Sequence, residues 1–152
     1  MSSLKGLDEL LSNLSGLGGN VESAVEKGLG RGAKKIQASA KLLAPVKTGA
    51  LRNSIKTQVL NKGGDVRAKV YTNSEYAPYV EFGTGERGME SNIERPDGVS
   101  YNPEWKGQTA QPFMTPAYLH AKNSKEVEIE IEKVVKAEIG KLGGKWWLIK
   151  NQ

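Results

Sequence analysis

Three glycines in residues 83–88, with the sequence GTGERG, have the spacing of a loop that binds the phosphates of a dinucleotide. Such a loop needs a buried apolar strand before it and a helix after it, so that the helix N-terminus meets the pyrophosphate. Here the preceding YAPYVEF is interrupted by Pro78, and the following MESNIERPDG lacks an apolar stripe and contains Pro96. These flanks favour a packing motif followed by a loop, and we expect neither a cofactor nor a small-molecule substrate.

Carboxylates surround the same glycines and could indicate a metal site or acid–base chemistry. They are Glu81, Glu86, Glu90, Glu94 and Asp97. The single histidine, His120, falls on a predicted C-terminal helix, and the acids lack the dense alternation of a calcium-binding loop. A solvated acidic loop is therefore the favoured interpretation. Because the chain has no cysteine and no G-x-S-x-G motif, nucleophilic catalysis has no support, and we expect a protein that is not an enzyme.

The net charge of +5 is concentrated at the front of the chain, where residues 1–60 hold nine Lys/Arg and four Asp/Glu. Four basic residues lie on one predicted helix and could face genomic DNA or an acidic partner: Arg31, Lys34, Lys35 and Lys41. The alternative is a solvated helix face. The segment has no aromatic residue, which argues against stacking on single-stranded bases, so any DNA contact is expected to be non-specific.

The N-terminal half is predicted to contain an arm, a helix and a β-hairpin. Residues 1–19 form an amphipathic arm whose leucines have helical spacing. Residues 20–83 begin with a helix over 21–43, in which Gly28, Gly30 and Gly32 indicate either a kink or the close approach of another backbone. The alternating segments NSIKTQVL and VRAKVYT around a Gly-Gly turn then predict the hairpin.

The C-terminal half is predicted to contain a loop, a helix and an apolar tail. Residues 84–111 are too polar to form a core and read as a long loop that can reach a partner. Residues 112–142 predict one long helix, and residues 143–152 contain the apolar segment KWWLIK. We expect a single α+β domain over residues 1–152, with the helix packed on a small antiparallel sheet. No run of 18 apolar residues occurs, so no membrane partner is expected.

Three motifs occur in a specific order, namely APVKTGALRNSI (44–55), YAPYVEFGTG (76–85) and QPFMTPAY (111–118). Together they resemble the type 1 neck or tail-completion family of long-tailed bacteriophages, over about residues 20–140. The resemblance implies a structural virion protein without catalysis that joins or completes the tail where it meets the head, by forming or supporting a ring around the DNA channel. The segment 86–108 and the KWWLIK tail depart from the family pattern.

The implied partners are further copies of the chain in a homo-oligomeric ring, together with head–tail connector, tail-terminator or tail-tube proteins. The implied location is the virion, after assembly in the host cytoplasm. A basic DNA-binding protein of the phage or host is the alternative from another class. Binding measured over a range of salt concentrations would distinguish these two functions, because a DNA-binding protein loses affinity for DNA steeply as the salt concentration rises.

The motifs also predict how the domain packs. The residues expected to pack are Pro45, Thr48, Gly49, Leu51, Arg52, Tyr76, Tyr79, Glu81, Phe82, Gly83, Pro112, Phe113 and Pro116. Tyr76, Tyr79 and Phe82 stand three apart, so on a short helix they would share one face and fill the space beside the hairpin. Glu81 would then point elsewhere, free to pair with a base such as Arg52.

Overall fold

The computed structural model describes residues 21–47 and 49–141. The elements of these ranges, in chain order, are α1 (Val21–Leu43), α2 (Ala50–Ser54), β1 (Ile55–Lys62), β2 (Asp65–Thr72), α3 (Ala77–Phe82), α4 (Gly85–Met89), α5 (Met114–Asn123) and α6 (Glu126–Lys141). Helices with a two-stranded antiparallel sheet confirm the predicted α+β class. The predictions for the N-terminal arm, Thr48 and the C-terminal tail fall outside the described residues.

The described residues form two compact units. One contains residues 21–35, 57–69 and 121–141, and the other contains residues 36–56 and 70–120 apart from residue 48. The single domain expected from the sequence stays a prediction. Among the helices described, none has the length and apolar character needed to cross a membrane.

The hairpin forms where the sequence predicts it. Gly63 and Gly64 have φ values of 60° and 90°, in the left-handed region that a tight two-residue turn requires. The Gly64 amide donates to the Asn61 side chain at 3.2 Å. β1 begins at Ile55 rather than Asn53, because residues Ala50–Ser54 form the single helical turn α2.

In the first unit, glycines of α1 allow close packing against α6. A Cβ atom added to Gly28 would lie 2.5 Å from the Ile131 Cα, and one added to Gly32 would lie 2.9 Å from the Val127 Cγ1. Real Cβ atoms do not approach backbone this closely, so α6 occupies the space that a larger side chain would need. The close approach of a backbone is therefore confirmed at Gly28 and Gly32 but not at Gly30, and α1 runs without interruption.

The predicted long C-terminal helix is interrupted. α5 ends at Asn123 and α6 begins at Glu126, and Lys125 between them has a φ of 55°. Asn and Ser side chains compete for backbone hydrogen bonds and favour helix ends, so Asn123 and Ser124 suit a break at this point. The stripe of apolar residues from Val127 onward, which predicted the helix, belongs to α6 alone.

In the second unit, a core gathers residues from all three motifs and from the end of α1. Its buried members are Ala40, Ala44, Leu51, Ile55, Ala77, Phe113 and Ala117. The predicted burial of Leu51 is confirmed, and Phe113 is 0% exposed. Gln37 Nε2 donates to the Ile55 carbonyl at 2.7 Å, which fixes the start of β1 beside α1.

An ion pair between α1 and α6 joins the helices of the first unit. Lys35 Nζ lies 2.9 Å from Glu130 Oε1, which is also 3.4 Å from Lys133 Nζ. The hydrogen bond from Lys35, reinforced by Lys133, holds the pKa of Glu130 below its ordinary value of 4.5, although burial acts in the opposite direction. The same hydrogen bond raises the pKa of Lys35.

This ion pair predicts a loss of stability in acid. Because the pKa of Glu130 is lower in the folded chain, its contribution is complete above the ordinary value of 4.5 and disappears as the pH falls through the folded value. Melting temperatures measured between about pH 6 and pH 3 should therefore fall more for the wild type than for Glu130→Gln. Lys35→Met should likewise make the melting temperature depend less on pH than it does in the wild type. Parallel profiles for all three proteins would contradict this assignment.

Candidate functional site

Glu81 is a structural cap, and the prediction that it points outward to pair with Arg52 is wrong. Its buried carboxylate accepts hydrogen bonds from the backbone amides of Phe113 at 2.8 Å, Met114 at 3.0 Å and Thr115 at 2.9 Å. These amides belong to the start of α5, where helix N–H groups have no partner within the helix. A carboxylate there satisfies them and also complements the positive end of the helix dipole.

The predicted plug of three aromatic side chains is also wrong. Tyr76 is 45% exposed and Tyr79 is 60% exposed, while Phe82 is only half-buried. The buried positions of α3 are Ala77 and Glu81, four residues apart on one face, and this face directs both tyrosines away from the core. The interior aromatic is Phe113 of the third motif.

The glycine motif is a site of close backbone packing rather than a phosphate site. Gly83 has a φ of 74°, and a Cβ atom there would lie 2.7 Å from both the Ala110 nitrogen and the Gln108 oxygen. Two backbone amides of this motif already have partners, since Thr84 donates to the Gln108 carbonyl at 2.8 Å and Glu86 donates to the Trp105 carbonyl at 2.8 Å. This agrees with the interpretation drawn from the flanking sequence.

The segment predicted as a long loop is tied back to its own chain. Thr84 and Gln108 form an antiparallel bridge, and the Tyr101 hydroxyl donates to the Phe82 carbonyl at 2.8 Å. The Ala110 amide donates to Ser91 Oγ at 2.9 Å. The two ends of the segment are therefore anchored, and its first residues form α4. Sequence reasoning missed these bonds because they join groups about twenty residues apart, which no local pattern reports.

The remaining motif residues surround the core. Gly49 has a φ of 77° and precedes α2, as the predicted turn requires, while Pro45, Pro112 and Pro116 are half-buried. Arg52 is half-buried, and within the described ranges its Nε makes no hydrogen bond. The functional importance of these residues stays a prediction.

The four basic residues of α1 do not share one environment. Arg31 and Lys34 are exposed and Lys41 is half-buried, whereas Lys35 is held in the ion pair with Glu130. Lys35 is exposed as well, but its charge is engaged by Glu130, and Arg31 and Lys34 provide further exposed charge. Sequence alone could not separate these roles, because the partner of Lys35 lies on a helix almost a hundred residues away.

A groove opens between the first two motifs, and we call it the motif groove. It is a cavity of about 530 Å³ with apolar walls of Pro45, Val46, Leu51, Tyr76 and Val80. Among the residues that the structure describes, Lys47, Gly49, Gln108 and Gln111 also line it. Val46 is 56% exposed. In the part of the chain that the structure describes, no three His, Asp or Glu side chains are placed to hold a metal ion.

In this α+β chain the motif residues build structure. Glu81 caps a helix, and Gly83 allows close packing of the backbone. The family model described as "Bacteriophage HK97-gp10, putative tail-component" matches residues 8–83, half of the chain. The chain therefore belongs to this family of phage tail components, in agreement with the resemblance of its motifs to neck and tail proteins. It is a structural component of the virion that functions with other phage structural proteins. No curated protein and no solved structure matches the chain.

Proposed function

We propose that this tail component joins the tail to the head, or completes the tail before joining, by forming or supporting a ring around the DNA channel. The observation that carries the proposal, beside family membership, is the amount of apolar surface left uncovered in the second unit. The exposed apolar side chains there include Leu42, Leu43, Val46, Tyr76, Tyr79, Tyr118 and Leu119. Apolar surface of this extent favours a protein that is covered by neighbours.

The proposal agrees with the way the motifs are used. Val46 and Tyr76 belong to two different motifs, and both expose a large part of the side chain while lining one groove. Exposed apolar residues stabilise a complex more than they stabilise the free chain, because contact with a partner removes them from water. A tail component that contacts other copies and adjacent head or tail proteins would use such surfaces.

Phage particles assembled without this protein test the joining role. We expect electron microscopy of such lysates to show DNA-filled heads and finished tails as separate objects. A plasmid copy of the gene should restore joined particles, whereas Glu81→Ala, which removes the cap of α5, should not. Joined, infectious particles in the absence of the protein would contradict the proposal.

A basic DNA-binding role is the second candidate, favoured by the exposure of Arg31 and Lys34 on α1. Such binding would be sequence-independent and would weaken steeply as salt rises, because bound phosphates release counterions. Self-association driven by apolar contacts would respond weakly to the same change. Sizing of the purified protein and DNA binding, each over a range of salt, therefore distinguish a protein that acts on partners from one that acts on DNA.

A further inference from the structure

We propose that the motif groove of one copy binds the leucine-rich segment 4–14 of a second copy. The inference deepens the proposed function, since it rests on the self-association that a ring requires and names the contact that makes it. It combines a groove that the structure shows with a segment that precedes the described residues. The carrying observations are the apolar lining of the groove, the reach of the N-terminal segment and the charges on both sides.

The groove matches the segment in chemistry. Apolar side chains supply about half of its lining, on the side of Pro45, Val46, Leu51, Tyr76 and Val80, and its volume is about 530 Å³, large enough for several aliphatic side chains. Segment 4–14 supplies these at helical spacing, with Leu4, Leu7, Leu10, Leu11 and Leu14. Moving these leucines from water into such a groove favours binding, and the cost of ordering the segment opposes it.

Reach favours a second copy over the same chain. The groove begins at Pro45, directly beyond the C-terminal end of α1, whereas the segment joins α1 at its N-terminal end, Val21. A helix of this length spans about 33 Å. Fully extended, the chain from Leu14 to Val21 covers at most about 25 Å. The five leucines therefore cannot all reach the groove of their own chain, while a neighbouring copy imposes no such limit.

Charge supports the same pairing. The charged residues in the sequence of segment 4–14 are Asp8 and Glu9 against a single Lys5. Lys47 lines the groove and is exposed, so it can meet these carboxylates at the rim. Such a rim contact sets orientation more than affinity. Each copy would give one segment and receive another, which is the head-to-tail arrangement that closes into a ring.

Disulfide cross-linking tests this contact directly, because the chain contains no cysteine. The full-length double variant Leu10→Cys/Val46→Cys is oxidised and separated on a denaturing, non-reducing gel. We expect a ladder of covalent multimers, with peptide mass spectrometry identifying the linkage between residues 10 and 46. The control Leu10→Cys/Leu119→Cys, which places the second thiol on the exposed surface of α5, should give no such linkage.

A matched pair of tyrosine variants tests the role of the groove. Tyr76→Glu in the double-cysteine variant introduces a charge into the groove and should abolish the ladder. Tyr79→Glu makes the same change three residues away, at an exposed position, and should leave the ladder intact. Circular dichroism melts confirm that each variant is folded, since both tyrosines are exposed at the surface.

Other results would overturn the inference. A linkage within one chain would show that the segment binds its own groove. A ladder formed by Val46→Cys with Trp146→Cys, and not with Leu10→Cys, would assign the groove to the C-terminal tail. Self-association by light scattering without the 10–46 linkage would reject the segment while leaving the proposed ring intact. A linkage between chains, with normal joining of particles that lack the protein, would instead reject the proposed function.

Discussion

Glu81→Ala is expected to lower the free energy of unfolding by about 4 kcal/mol, because it leaves backbone amides of Phe113, Met114 and Thr115 without their acceptor. The Phe113 amide is buried, so water cannot replace the carboxylate there. The change also removes a negative charge from the start of α5. Urea unfolding followed by circular dichroism measures the loss.

Two further variants show whether the cap is responsible. Glu81→Gln retains one acceptor oxygen but no charge, and should lose about 2 kcal/mol. Glu90→Ala removes an exposed carboxylate of the same sequence region and should stay within about 0.5 kcal/mol of the wild type. Equal effects of Glu81→Ala and Glu90→Ala would show that the capping bonds contribute little to stability.

Gly28→Ala and Gly30→Ala are expected to change stability in opposite directions, although they lie two residues apart on α1. A methyl group at position 28 would meet the backbone of Ile131, so α6 must shift, and we expect a loss of about 2 kcal/mol. At position 30 the nearest atom is the Val59 Cγ2 at 3.5 Å, an ordinary contact. There the higher helix propensity of alanine should add about 0.5 to 1 kcal/mol.

The comparison controls for helix propensity, since both variants make the same substitution in one helix. Thermal melts of both proteins would show the difference as shifts of opposite sign. A gain in stability for Gly28→Ala would mean that α6 can move away at no cost, and that the tight packing of α1 on α6 is not needed. Equal losses for both would point to an effect on the helix itself rather than on the contact.

The sequence predicted the parts of the fold that local patterns determine. Alternation around the Gly-Gly turn located the hairpin, and helical spacing located α1. The break at Lys125 was missed because apolar spacing continues to predict helix through a short interruption. Predicting the break would have required recognising Asn123 and Ser124 as residues that favour the end of a helix.

The site was harder to predict because its features depend on distant partners. Glu81 has the same local appearance as the exposed acids that follow it, and only the approach of the start of α5 makes it a cap. Tyr76 and Tyr79 looked like core residues since large aromatics at helical spacing usually are. In the structure, Ala77 and Glu81 are the buried residues of α3. A pattern of hydrophobic residues could not predict this buried face, because Glu81 is charged.

The paired ends of the segment between α3 and α5 have a consequence for how this region can vary. The Gln111 amide donates to the Val80 carbonyl at 2.8 Å, and the Thr84–Gln108 bridge lies just beyond it, so the segment is closed at its base. The entropy of closing a chain grows only with the logarithm of its length, and doubling that length costs about 0.6 kcal/mol. Around Gly98, where nothing lies within 4 Å of an added Cβ atom, insertions would extend outward from a closed stem. The same chain could therefore present peptides of different length at this position, as an attachment point for a tag or a label on assembled particles.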